Sequence, residues 1–109
     1  MVKKRRTPRS DCNYVIYKMT DEFENVYIGL TRKTASTPLK SVKIRWGKHL
    51  SRAKRDDLKR PLYETIRKNG FEHRWKKEII EVVRGRKKAY EREREIIIAK
   101  KPNLNMQYC

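Results

Sequence analysis

The chain has 109 residues, room for one domain with one core, and a domain of that size buries about two-thirds of the surface its unfolded form exposes. Thirty Lys and Arg against thirteen Asp and Glu give a net charge of +17 and a pI near 10.2, a self-repulsion that a polyanion offsets. Nucleic acid, most simply double-stranded DNA, is therefore the expected partner. No apolar run approaches the roughly 20 residues of a spanning helix and no secretory apolar stretch follows the basic start, which argues against a membrane partner and for a soluble, intracellular protein.

Taken in chain order, "MVKKRRTPRS" has no apolar periodicity. Residues 1–12 are expected to form a mobile basic arm that meets phosphate through Lys3, Lys4, Arg5 and Arg6, and residues 13–109 a single domain. Cys12 and Cys109 have no Cys or His neighbours at zinc-site spacing and are expected to be thiols in a reducing compartment. Residues 13–19 and 25–31 are rich in Val, Ile, Tyr and Thr and flank the turn-like "DEFEN", a hairpin signal. Pairing Met19 with Asn25 sets Tyr17 opposite Tyr27 and Val15 opposite Gly29. Period-two alternation then gathers these four on one face and leaves Ile16 and Ile28 on the other.

"RKTASTP" is a polar loop. From Pro38 the apolar residues Leu39, Val42, Trp46, Leu50 and Ala53 recur at three and four, predicting an amphipathic helix that ends near Asp56–Asp57. Arg45 and His49 sit one turn apart on its flank. "RPLYETIRKNG" predicts a shorter helix, with Pro61 in its first turn and Gly70 after its end. "WKKEIIEVV" is short and β-branched and is taken as a third strand; "RKKAYEREREIIIAKK" is the final helix, and "PNLNMQYC" closes the chain. The fold class is thus α/β in the α+β sense, a small three-stranded, mainly antiparallel sheet flanked by about three helices. Arg32, Lys33, Lys48 and Arg52 join the arm as expected nucleic-acid contacts.

At about 100° per residue, Ala89, Tyr90, Ile96 and Ile97 cluster on one side of the last helix, and Glu93 projects into that cluster while Glu91 and Glu95 project away. An unpaired carboxylate on an apolar side is costly, so Glu93 requires a cation. A salt bridge to one of the thirty basic residues and a divalent metal both satisfy it.

The hairpin with "VIY" and "YIG", the helix with "RWGKH", the helix ending in "KNGF", the "ERE" helix and the closing "PNLN" occur together in this order. This set resembles the GIY-YIG nuclease family over residues 14–105, and the twelve positions from Glu93 to Asn105 suit that family's spacing between its metal-binding Glu and its closing Asn. The resemblance implies a phosphodiesterase that uses one Mg²⁺ (or Mn²⁺) held by Glu93. It implies Tyr17 as general base toward the attacking water, Tyr27 as a positioner of the scissile phosphate, and Arg45 as the phosphate-binding arginine. His49 matches the helix histidine of many members, and Asn105 the asparagine that anchors the site.

Those residue types suit the chemistry. Phosphodiester hydrolysis needs an activated water and neutralisation of charge in the transition state. A carboxylate-held cation and the permanently charged fork of Arg45 supply the second. Tyrosine, with an ordinary pKa of about 10, becomes a base only where cations favour phenolate. The chain departs from the family in three respects. Val15 stands where the family has its first glycine and is expected to narrow access beside Gly29. "RKTASTPLKS" looks like an insertion beside the site, and the second, loop-borne histidine of some members has its nearest equivalent around Asp57. Without a separate DNA-binding domain, specificity is expected from the basic arm, the insertion, a homodimer or a protein partner. The expected function is a stand-alone metal-dependent DNA endonuclease, phage-borne or restriction-like. The alternative is a basic nucleic-acid-binding protein on the same fold without catalysis, in which the tyrosines are strand residues, His49 a solvated helix residue and Asn105 a turn former.

Overall fold

A computed structural model describes residues 12–55, 60–70 and 74–105. The basic arm with Lys3, Lys4, Arg5 and Arg6, the Asp56–Asp57 pair and Cys109, with any pairing of Cys12 to it, lie outside the described residues. The elements run β1 (Asn13–Thr20), β2 (Val26–Arg32), α1 (Pro38–Ala53), α2 (Pro61–Asn69), β3 (Lys76–Arg84) and α3 (Arg86–Lys100). The strands form one antiparallel sheet in the order β2-β1-β3, the expected α+β class. No helix among the described residues is long and apolar enough to cross a membrane.

The β1–β2 turn is organised by its acid. Asp21 Oδ1 accepts the N–H groups of Phe23 (2.9 Å) and Asn25 (2.8 Å), and Oδ2 accepts from the Asn25 side chain (2.7 Å). Satisfying these loop donors closes the strands two residues further out than the sequence reading supposed. Met19 pairs with Tyr27 rather than Asn25, Tyr17 with Gly29 rather than Tyr27, and Val15 with Thr31 rather than Gly29. The shift is an even number, so every side chain keeps its expected face. Tyr17 and Tyr27 become diagonal neighbours, with ring centroids 6.3 Å apart.

Each face of the sheet carries its own core. Val15, Tyr17 and Met19 bury against Val42, Trp46 and Ala53 of α1 and Leu62, Tyr63 and Ile66 of α2. Ile16 and Ile28 bury against Ile96 and Ile97 of α3. Val15 is fully buried in the first core and does not narrow the cleft beside Gly29, correcting the expected obstruction. Helix α1 starts as expected, with Pro38 in its first turn and the Thr37 hydroxyl accepting Lys40 N–H at 3.2 Å. It stops at Ala53, short of the Asp56–Asp57 end read from the periodicity. Part of the supposed insertion is the first turn of α1, and buried Ser41 holds the preceding loop by accepting from the N–H groups of Thr34 and Ala35, both at 3.1 Å. Gly70 (φ 93°) ends α2, and Gly85 (φ 96°) turns the chain from β3 into α3.

Candidate functional site

A cleft of about 390 Å³ opens at the β2 margin of the sheet, where α1 and α2 of one face and α3 of the other approach the same strand. Its walls include Tyr27 from β2, Arg45 and His49 from α1, Tyr63 from α2, Glu93 from α3 and Asn105 from the closing segment. Five of the six residues expected in the site thus meet there, drawn from positions 78 apart in the chain. The sixth, Tyr17, lies one layer beneath with no exposed surface.

Tyr17 is held by two features. Its hydroxyl bonds to His49 Nε2 at 3.0 Å, and its ring covers Gly29, where a Cβ would stand 2.5 Å from the phenol Cζ and Oη. Any larger residue at position 29 would displace that ring. Burial pushes the Tyr17 phenol far above its ordinary range, with Tyr27 adding to the rise and Arg45 opposing it. At Tyr27 burial raises the phenol to about 12, Glu93 adds to the rise and Arg45 again opposes it.

His49 is not the solvated helix residue that the alternative reading assumed; it is buried, at 3% exposure. Its Nδ1 meets the Tyr63 hydroxyl at 3.1 Å, completing a buried chain Tyr17–His49–Tyr63. Burial lowers its pKa to about 3, helped by Arg45, Arg52 and Arg60, so the ring is neutral. A neutral imidazole carries one N–H, so it donates to one phenol and accepts from the other.

Glu93 is half-buried, and burial raises its carboxyl to about 7. Among the described residues no Lys or Arg forms an ion pair with it, whereas Glu81 and Glu95 both pair with Arg92 at 3.1 Å. Arg45 Nε is also buried without a hydrogen-bond partner. An unpaired carboxylate and an unpaired guanidinium nitrogen in one cleft fit a ligand that carries both cation and anion. No group of three or more His, Cys, Asp or Glu assembles among the described residues, so no all-protein metal cage exists there. One carboxylate suits Mg²⁺, which keeps several waters and completes its shell from a substrate phosphate.

Asn105 anchors the closing segment. Its side chain accepts Ile28 N–H at 2.8 Å and donates to Ile28 C=O at 2.6 Å, as a neighbouring strand would. Asn103 accepts Val26 N–H at 2.7 Å, and Leu104 N–H donates to Val26 C=O at 3.0 Å. The free edge of β2 is thereby covered, and Leu104 is fixed in the wall of the cleft.

Of the expected nucleic-acid contacts, Arg32 and Lys48 border a second cleft that shares Arg45 with the first. Arg52 lies on the outer surface of α1, and Lys33 N–H bonds to Asn13 C=O beyond the end of β2. Two polar residues of the first cleft escaped the sequence reading, Tyr63 and Arg60. Ile66 stands three positions after Tyr63 and four after Leu62, a spacing that marks Tyr63 as inward-facing but says nothing of where its hydroxyl ends; Arg60 carries no signal that separates it from the other cations. Tyr90, grouped with the apolar side of α3, is instead 51% exposed, because it flanks the sheet where Ala89, Ile96 and Ile97 cover it. Compared with protein-family models, curated proteins and solved structures, the chain has no match.

Proposed function

We propose that the protein is a metal-dependent DNA endonuclease whose active site is the cleft of Tyr27, Arg45, His49 and Glu93, with the residue set and reaction of a GIY-YIG nuclease. The observation that carries this reading is Glu93, a half-buried carboxylate without an ion-pair partner among the described residues, sharing a cleft with an arginine whose Nε is unsatisfied. A pure binding module has no use for a desolvated carboxylate facing a polyanion. A divalent cation held by Glu93 supplies Lewis-acid stabilisation of charge developing on the phosphate.

The protein's own groups account for the remaining work. Arg45 offers its guanidinium to the non-bridging oxygens of the scissile phosphate. Tyr17 takes the proton of the attacking water once its phenol has lost its own proton to solvent, a loss that burial opposes and that Arg45 and a bound cation would favour, while His49, whose ring resists protonation, holds the Tyr17 oxygen in place. The water oxygen then bonds to phosphorus as the ester P–O bond breaks, and the departing alkoxide takes up a proton from solvent. Tyr17 has no exposed surface, so water reaches it only if the side chains that cover it move. Tyr27 already borders the cleft, which favours a second assignment in which it is the base and Tyr17 the support.

The test is cleavage of supercoiled plasmid with Mg²⁺ or with EDTA. Glu93→Gln is expected to abolish cutting while fold and DNA binding persist, and Glu91→Gln and Glu95→Gln to cut like the parent. Equal loss in all three would make helix charge, not ligation, the cause. Absence of Mg²⁺-dependent cutting by the parent, with DNA binding retained, would leave the non-catalytic binding protein.

A further inference from the structure

The second cleft, about 320 Å³ on the far side of Arg45, is lined by four cations, Arg32, Arg45, Lys48 and Arg86, and by no carboxylate. Four like charges around one hollow repel one another unless an anion sits between them. Independently, two large apolar side chains are left open in the same hollow: Ile44 and Tyr90 are each 51% exposed. The Arg86 guanidinium carbon stands 5.7 Å from the Tyr90 ring centroid, so cation and ring are held together. An aromatic face beside several cations is the pairing by which proteins take up a base and its phosphate. The hollow is too small for a duplex.

We propose that this cleft receives one unstacked nucleotide of the bound strand, its base against Tyr90 and Ile44 and its phosphate between Arg32, Lys48 and Arg86. Arg45, common to both clefts, then faces the next phosphate along, the one to be cut. This rests on the nucleic-acid part of the proposed function and is independent of catalysis. A base leaves a paired stack at a cost of a few kcal/mol, so the protein selects DNA that offers a nucleotide already unpaired beside the target bond.

The experiment uses the full chain carrying Glu93→Gln, in EDTA, with two labelled duplexes, one fully paired and one with a single unpaired nucleotide, read by fluorescence anisotropy. The unpaired duplex is expected to bind more tightly. Tyr90→Ala is expected to weaken that complex about 5- to 150-fold and erase the preference, while Tyr90→Phe retains it. Arg86→Gln is expected to reduce the log–log salt slope by about 0.9, one phosphate on duplex DNA. All three variants alter exposed side chains, and circular dichroism checks that they fold. Equal binding of the two duplexes, or a preference that survives Tyr90→Ala, would overturn the subsite while leaving the nuclease reading intact. Displacement of the DNA by micromolar deoxyadenosine monophosphate would reassign the cleft to a free nucleotide and overturn it as well. Failure of the parent to bind either duplex would remove the nucleic-acid reading itself.

Discussion

Tyr17 and Tyr27 have the same side chain on the same face of one hairpin, yet they sit at different depths. Only Tyr27 borders the cleft, whereas Tyr17 is bonded to His49 beneath it. Tyr17→Phe keeps the ring over Gly29 and removes the hydroxyl that would take the water's proton. Plasmid turnover is expected to fall by about 10²- to 10⁴-fold, the usual share of a general base, and stability by about 1–3 kcal/mol, because the buried His49 Nε2 loses its partner. Tyr27→Phe is expected to cost less; a larger loss there would transfer the base to Tyr27. His49 gives a second residue-scale prediction. Its folded pKa of about 3 lies below the ordinary 6.5, so between those values the unfolded chain binds a proton that the folded chain refuses. The stability this contributes is complete above pH 6.5 and is lost as pH falls toward 3. Urea unfolding of the parent and of His49→Gln at pH 7 and pH 5 is expected to show a steeper acid loss in the parent, the excess bounded by about 1.4 kcal/mol per pH unit. Parallel losses would mean that His49 titrates normally.

At the scale of elements, the cleft depends on the closing segment being fastened to β2. Both bonds of that fastening at Ile28 come from one amide, Asn105. Asn105→Ala leaves a partly buried N–H and C=O unpaired, which costs about 1–3 kcal/mol. Chemical denaturation is expected to register that loss and hydrogen exchange to quicken at Ile28. Asn105→Asp keeps the acceptor for Ile28 N–H but presents no donor to Ile28 C=O, and is expected to fall between the two. Unchanged exchange at Ile28 would show that Asn103 and Leu104 hold the segment without it.

For the whole molecule the +17 charge is expected to dominate the binding of DNA in the proposed function. Each neutralised phosphate contributes a log–log salt slope of about −0.9 on duplex DNA, so affinity is expected to drop steeply with salt. Deleting residues 1–9 removes five basic side chains, and anisotropy titrations over a range of salt are expected to show a shallower slope with cleavage retained. A slope identical to the parent's would make the arm a bystander. On the proposed reading the arm and the two clefts would divide the labour: charge at a distance would gather DNA, and the clefts would select and react.

Local signals were enough to read the elements. Runs rich in Val, Ile, Tyr and Thr around a turn marked β1 and β2, apolar spacing marked α1, Pro61 and Gly70 bounded α2, and helical geometry singled out Glu93 from its acidic neighbours on α3, because each of these signals is carried by residues a few positions apart. Period-two alternation also put Tyr17 and Tyr27 on one face, a conclusion immune to the even register shift. The register itself, the buried state of His49, the partnership of Tyr63 and the pairing of Asn105 with Ile28 were not readable in that way. Each depends on atoms from distant parts of the chain meeting in one place, Tyr17 with His49 across 32 positions and Ile28 with Asn105 across 77. Periodicity reports which way a side chain faces; which polar atom waits there is decided when the two cores close on the sheet and desolvation forces every buried donor and acceptor to find a partner.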